Sequence, residues 1–271
     1  MSTPTDSNSF MRRNEALIYG LAMLAMILVV WEGLARGWWA DFATPLLGPA
    51  AEKLRIRRIF ISSPTFVAAQ AWQMYAVTGE IWMHLAVSAA ELIFGLGLAI
   101  LVGIPFGLVT GWYRRLGSAA RPFLAALNAT PQVALLPLMV IWLGTGFAIR
   151  IAIIFLLAVL PIAIAAQAAV KTTDSRLVRL ADSFGASQRQ LFATIILPAS
   201  IPFLIGGLRL AIGRAMIGIV VGARAGSLFE TDTVFVGVLT IVAAGLMLTD
   251  LLRRLERRLD HWRPPGQGGA A

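Results

Sequence analysis

The sequence predicts an all-α, polytopic membrane protein with about six transmembrane helices and a long cytoplasmic loop between the fourth and fifth. Three observations carry that expectation. Of 271 residues, 58% are hydrophobic and 14% charged, with a mean hydropathy of +0.77; soluble domains hold about 45–50% apolar and about 25% charged residues. The apolar residues fall in runs of about 20, the length that crosses a bilayer as a helix. The formal charge of +9 is scattered between those runs rather than gathered into one patch. A soluble enzyme would have no means of hiding so much apolar surface, and a nucleic-acid partner would need a basic face. There is no cysteine, which removes disulfides, thiolate metal sites and cysteine nucleophiles.

The elements follow in order. A polar tail, 1–15, contains Arg12 and Arg13 and leads into an apolar run at 16–34. A signal peptide has the same positive start, but this run continues through Trp31, Glu32 and Arg36 without a clean small-residue cleavage site. A retained first helix over 16–35 is therefore expected. Residues 36–80 are the least apolar stretch, with Pro45, Pro49, Pro64 and the run Lys53-Leu54-Arg55-Ile56-Arg57-Arg58. They read as an external segment with room for a short interfacial helix. The membrane core occupies 81–252, with spans expected at 85–112, 122–144, 149–170, 202–223 and 234–252. Pro105, Pro131 and Pro137 fall inside spans, where neighbouring helices can satisfy the freed carbonyls.

Lysine and arginine set the orientation. With the N-terminus inside, the cytoplasmic pieces 1–15, 113–121, 171–201 and 253–271 hold fourteen of them and the external pieces seven. That bias places both termini in the cytoplasm. The 253–271 tail begins as a helix leaving the membrane, with Leu251, Leu255 and Leu259 on one face and arginines at headgroup level; a partner-docking helix is the alternative.

The 171–201 loop is too long and too patterned for a turn. Asp174 or Ser175 can cap a helix over 176–184, Gly185 permits a break, and Ser187 can cap a second helix that Pro198 stops. The result is a knob bearing Leu180, Ala181, Phe184 and Ala186, shaped for a groove on another protein.

Gly185, nine residues, and then Ile195-x-Leu197-Pro198 resemble the second half of the EAA loop of ATP-binding-cassette (ABC) importer permeases. Ser62-Ser63-Pro64-Thr65, Gly79-Glu80, His84-Leu85, Pro131, Ala134, Pro137-Leu138, Ile141-Trp142, Gly144, Phe184-Gly185-Ala186-Ser187, Pro202 and Gly207-Leu208-Arg209-Leu210 are similar to the permeases for nitrate, sulfonates and taurine. The resemblance covers most of the chain after residue 60. It implies a bacterial inner-membrane permease paired with a second copy of itself, an ATPase subunit and an external solute-binding protein. It also implies that Arg179, Leu180, Ala181, Asp182, Ser183, Phe184, Gly185, Ala186 and Ser187 form the coupling helix docked on the ATPase. There are two departures. Arg179-Leu180-Ala181 stands where Glu-Ala-Ala is usual, and the chain after Gly222 lacks an acidic Gly-Leu-Gly segment.

No chemistry-bearing cluster competes with transport. His84 and His261 fall on opposite sides of the expected membrane, which gives no metal site, and there is no phosphate loop. The chain is expected to be no enzyme, to need no cofactor, to leave ATP hydrolysis to its partner and to contact membrane lipid but no nucleic acid. Gly95-Leu96-Gly97 and Gly103-Ile104-Pro105 suit close helix packing. Ionisable groups inside spans are candidates for function. Glu91, Asn128, Thr130, Gln132 and Arg214 are therefore the candidates for a translocation path; the plainer roles are snorkelling or a bond to a hydroxyl for Glu91, hydrogen bonding between helices for Asn128, Thr130 and Gln132, and a structural pair or a water-filled cavity for Arg214. Arg209 lies close enough to the inner end of its span to snorkel. A secondary carrier or channel, an intramembrane enzyme and a degenerate permease are the competing classes. The first has few groups for ion coupling, and the second lacks paired aspartates or a zinc motif.

Overall fold

A computed structural model of the chain describes residues 7–38, 40, 44, 45, 48, 61–223 and 231–259. The basic run at 53–58, the shortened connection at 224–230 and the tail beyond 259, His261 included, lie outside the described residues. Those described are almost all helical and include no strand. Five helices are long and apolar enough to cross a membrane, or six when one sharply bent pair is taken as a single span. The chain divides into two compact units, 1–80 with 228–236 and 81–227 with 237–271.

In the first unit, α1 (Ser7–Arg36) exposes its apolar side chains from Leu17 to Val30, as a helix surrounded by hydrocarbon does. Its last turn holds α2 (Pro64–Trp72), which runs on into a π-turn, Gln73–Val77. Pro64 supplies the preset φ of a first helical turn and Ser63 caps it, accepting from the Phe66 N–H. Trp31 Nε1 donates to Ser62 O at 2.8 Å. Glu32 accepts from Thr65 N and Oγ1, at 3.2 and 2.8 Å, and also pairs with Arg36. Within 36–80 the described residues include this one short helix, whose start is tied to α1 by a carboxylate.

The second unit is built from α3 (Glu80–Trp112), α4 (Arg114–Ala129), α5 (Leu136–Leu143), α6 (Phe147–Lys171), α7 (Ser175–Ser183), α8 (Gln188–Leu191), α9 (Leu197–Ala223) and most of α10 (Thr231–Leu259). Its centre is α6. On α3, Gly95, Ala99, Gly103, Gly107 and Gly111 recur every four residues and make one smooth stripe. A Cβ at Gly95 would collide with Ile154, and one at Gly103 would press on Ile162 and Val159 O. Gly107 and Gly111 meet Ala166 and Val170 in the same way. These contacts advance together along both helices, so α3 and α6 run parallel. Small residues let two backbones approach where lipid supplies no hydrophobic drive. The other side of α6 takes α9 antiparallel: Gly207 abuts Ala165 and Pro161 O, and Gly218 abuts Leu157, Ile154 and Ile153. Ala99, Ala158, Ile162 and Ala211 close the centre. Ile205, Ile212 and Leu252 join α9 to α10.

Two expectations are corrected. The span at 122–144 is not one straight helix. α4 begins at Arg114, so most of the expected cytoplasmic loop 113–121 is helix, and α4 and the segment Gln132–Leu143 are bent by 83°. Pro131 causes the break: it forces Thr130 into extended backbone (ψ 131°). Pro198, expected to end the second helix of the knob, does not end it. A π-turn, Phe192–Ile196, carries the chain into α9, with Leu197 N–H donating to Phe192 O. The wider turn accommodates a proline that lacks the next donor.

Candidate functional site

The knob between α6 and α9 forms from local signals. Asp174 caps α7, its side chain accepting from Arg176 N at 2.8 Å. The helix ends at Phe184 with Ala186 N donating to Ala181 O at 3.1 Å and Gly185 N donating to Asp182 O at 3.0 Å. Those paired bonds make a Schellman close, which needs a left-handed residue; Gly185 has φ +75°. Ser187 then starts α8 with a capping box: Gln190 N donates to Ser187 Oγ, and Ser187 N donates to Gln190 Oε1.

This geometry turns one apolar edge outward. Phe184 is 82% exposed, Leu180 55% and Leu177 49%, and spacings of three and four put them on one face of α7. Asp182 and Ser183 are exposed beside them, Ala181 and Ala186 are half-buried, and Ser183 Oγ donates to Leu180 O. Arg179, where the resemblance leads one to expect a glutamate, donates from Nη1 to Ser175 Oγ at 3.0 Å. At the base, Leu191 is fully buried, and Phe192 meets Trp112 at the end of α3, edge to face at 5.6 Å. Arg179–Ser187 run through this edge and the turn after it, exposed except for the half-buried Ala181 and Ala186.

The intramembrane candidates separate. Glu91 is buried to 1% and accepts from Arg150 Nη1 at 3.0 Å, so it is neutralised between α3 and α6. Asn128 is exposed near the end of α4. Thr130, at the break, donates to Ala126 O. Gln132 is half-buried, and its Nε2 has no hydrogen-bond partner among the described residues; it lines a small cavity with Leu136, Met139, Ile153 and Leu157. Arg214 is half-buried and stands on the stripe of α9 that faces α6, between Ala211 and Gly218. Gly218, one turn on, packs against Ile153 and Leu157. Among the described residues Gln132 carries an amide donor without a partner and Arg214 a guanidinium with no ion pair.

Sequence reasoning missed two partners. Arg150 reads as a loop cation but is the counter-ion of Glu91. Glu256 reads as part of an exposed tail but pairs with Arg209 across α9 and α10. The signal lay in the burial itself, since a carboxylate inside a span needs a cation, but which cation depends on the packing of distant helices. No group of three or more potential metal ligands occurs among the described residues.

Residues 103–261 match the family described as binding-protein-dependent transport system inner membrane component. The chain is 31% identical to the taurine transport system permease protein TauC of Escherichia coli (strain K12), over 89% of this chain and 88% of that protein. It is 32% identical to the riboflavin transport system permease protein RibX of Chloroflexus aurantiacus, over 88% of each. With the putative aliphatic sulfonates transport permease protein SsuC of Bacillus subtilis (strain 168) it shares 26% identity, over 95% of this chain and 92% of that protein.

Proposed function

The chain belongs to the family of binding-protein-dependent transport system inner membrane components, and from that premise we propose that it forms the translocation path of an ATP-driven importer. It is a multi-pass membrane permease of the ABC class, of the nitrate, sulfonate and taurine type, and not an enzyme; ATP hydrolysis belongs to a partner subunit. The finer reading is that an ATPase subunit docks on Arg179–Ser187, a second copy of this chain completes the pathway, and an external solute-binding protein delivers cargo. Both termini face the cytoplasm in this reading.

One observation supports the coupling role: α8, the second half of the knob, continues through the π-turn into α9. Leu177, Leu180 and Phe184 offer an apolar edge to a groove. Behind them the capping box, the π-turn and α9 run without a break to Arg214. Closure of an ATPase dimer under the knob would tilt α9 against α6, opening the path to alternate sides. The proposed cargo is a small anion or organic solute such as a sulfonate, taurine or nitrate. Arg214 and Gln132 support it, since among the described residues the first has no ion pair and the second has an amide donor without a partner. Glu91, Asn128 and Thr130 have less to offer, because the first is ion-paired, the second is exposed and the third donates back to its own helix.

Purification of the tagged chain from native membranes in mild detergent tests the reading. An ATP-binding subunit in stoichiometric amount, lost on Phe184→Asp, is the expected result. A chain that emerges alone, where a control transporter stays whole, would favour a carrier without an ATPase or an inactive relative.

A further inference from the structure

The outward side of α7 is a ridge with two unlike flanks. Val178 and Ala181 are half-buried and mark the inward side of the helix. Arg176 and Ser183, seven residues apart, share one line along the opposite side, and both are exposed. Positions three and four beyond a helical residue fall on either side of its line. Leu180 therefore flanks Arg176 on one side, where Phe184 extends the apolar edge, and Arg179 flanks it on the other. Arg179, Leu180 and Phe184 are all exposed.

The cations on this ridge have no counter-charge of their own. Arg176 stands in the first turn of α7. Arg179 reaches back to that turn, its Nη1 donating to Ser175 Oγ at 3.0 Å rather than meeting Asp182 three residues further on. The start of a helix is its positive end and disfavours cations. Asp174 accepts from Arg176 N as the cap, and no carboxylate lies within 4.0 Å of either guanidinium among the described residues. Carboxylates brought by a partner would offset that disfavour. A flat bilayer would take one flank of the ridge and leave the other in water, whereas a groove takes both flanks at once.

We propose, resting on the docking of an ATPase subunit at the knob, that the groove of that subunit has two unlike walls. One is apolar and lies against Leu180 and Phe184; the other bears carboxylates and meets Arg176 and Arg179. The two arginines thereby select which ATPase the permease accepts.

The test uses the ATPase subunit recovered with the wild-type chain, titrated back onto the full chain in nanodiscs of phosphatidylcholine alone. R176E/R179E should bind it about tenfold more weakly, about threefold for each exposed ion pair removed, and R176K/R179K should bind like wild type. Added salt should weaken the wild-type contact and leave that of R176E/R179E nearly unchanged. Glutamate near the start of a helix is favourable, so α7 should persist in R176E/R179E. If that chain does not assemble, R176Q alone should bind about threefold more weakly. Unchanged binding by R176E/R179E or R176Q, where Phe184→Asp still releases the subunit, overturns the acidic wall and leaves the docking itself standing. A wild-type chain that brings down no ATPase subunit ends the docking reading and the proposal with it. A deficit that appears only when phosphatidylglycerol is added to the nanodiscs would set the arginines against lipid, and also overturns the proposal.

Discussion

Gly185 joins two helices because its φ of +75° closes one and frees the next. No atom stands within 4 Å of a Cβ placed there, so space does not demand glycine; the backbone does. A β-branched side chain in that conformation costs about 1–2 kcal/mol, and the Schellman bonds at Ala181 and Asp182 would be lost with it. Gly185→Val should therefore leave membrane insertion intact but release the ATPase subunit and abolish uptake, with Gly185→Asn milder. Uptake at the wild-type rate in Gly185→Val would remove the knob from the coupling argument. Arg214 makes a different residue-scale case. An unpaired guanidinium within a span persists where it meets water or cargo. If it receives an anion, Arg214→Ala should cut import by about 10- to 100-fold, the worth of one charged hydrogen bond, with the ATPase still bound. Full import would show that the cargo passes without it.

At the scale of the element, what the sequence made legible divides by the range of the interaction. The caps at Asp174 and Ser187 and the break at Gly185 each depend on a few neighbouring residues, and each was readable. The small-residue stripe on α3 was readable as packing from Gly95 and Gly103, although Gly97 meets nothing and Gly107 and Gly111 complete the pattern. Pro198 misled because a proline ends a helix only when the chain has no wider turn to offer, and the π-turn at Phe192–Ile196 depends on Leu191 and Ile196 being held in the core. The Glu91–Arg150 pair was out of reach because it joins residues 59 apart through the register of α3 on α6. That pair also gives a measurable quantity. Removing either partner leaves a charge without its mate, and the fully buried limit is about 3–5 kcal/mol. Arg150 keeps 33% of its side chain exposed, which lowers the figure. A double-mutant cycle on Glu91→Ala and Arg150→Ala, read by thermal unfolding in detergent, should give a coupling of about 1–3 kcal/mol. Additive losses would mean that solvent or lipid already screens the pair.

At the scale of the whole molecule, the proposed coupling would carry an event at the knob into the membrane, and the helix that runs from α8 through the π-turn into α9 is the part of the second unit that reaches both. From Gln188 to Arg214 it covers about 39 Å at the rise of a helix. It is gripped by α6 through Gly207 and Gly218 and by α10 through Arg209 and Glu256. Only the π-turn lies between the knob and this gripped section, and there Phe192 leans on Trp112. A lever transmits only if it is stiffer than the contacts it moves. Two glycines in place of Thr194 and Ile195 would weaken the helix by about 1 kcal/mol while leaving Phe184, Arg214 and their surroundings untouched. The expected outcome is a complex that still carries its ATPase and still hydrolyses ATP, but with import lost and hydrolysis no longer answering to cargo. Import that stays coupled to hydrolysis in that variant would mean that the motion reaches the membrane by another route, through Trp112 and α3, and that α9 only anchors the knob.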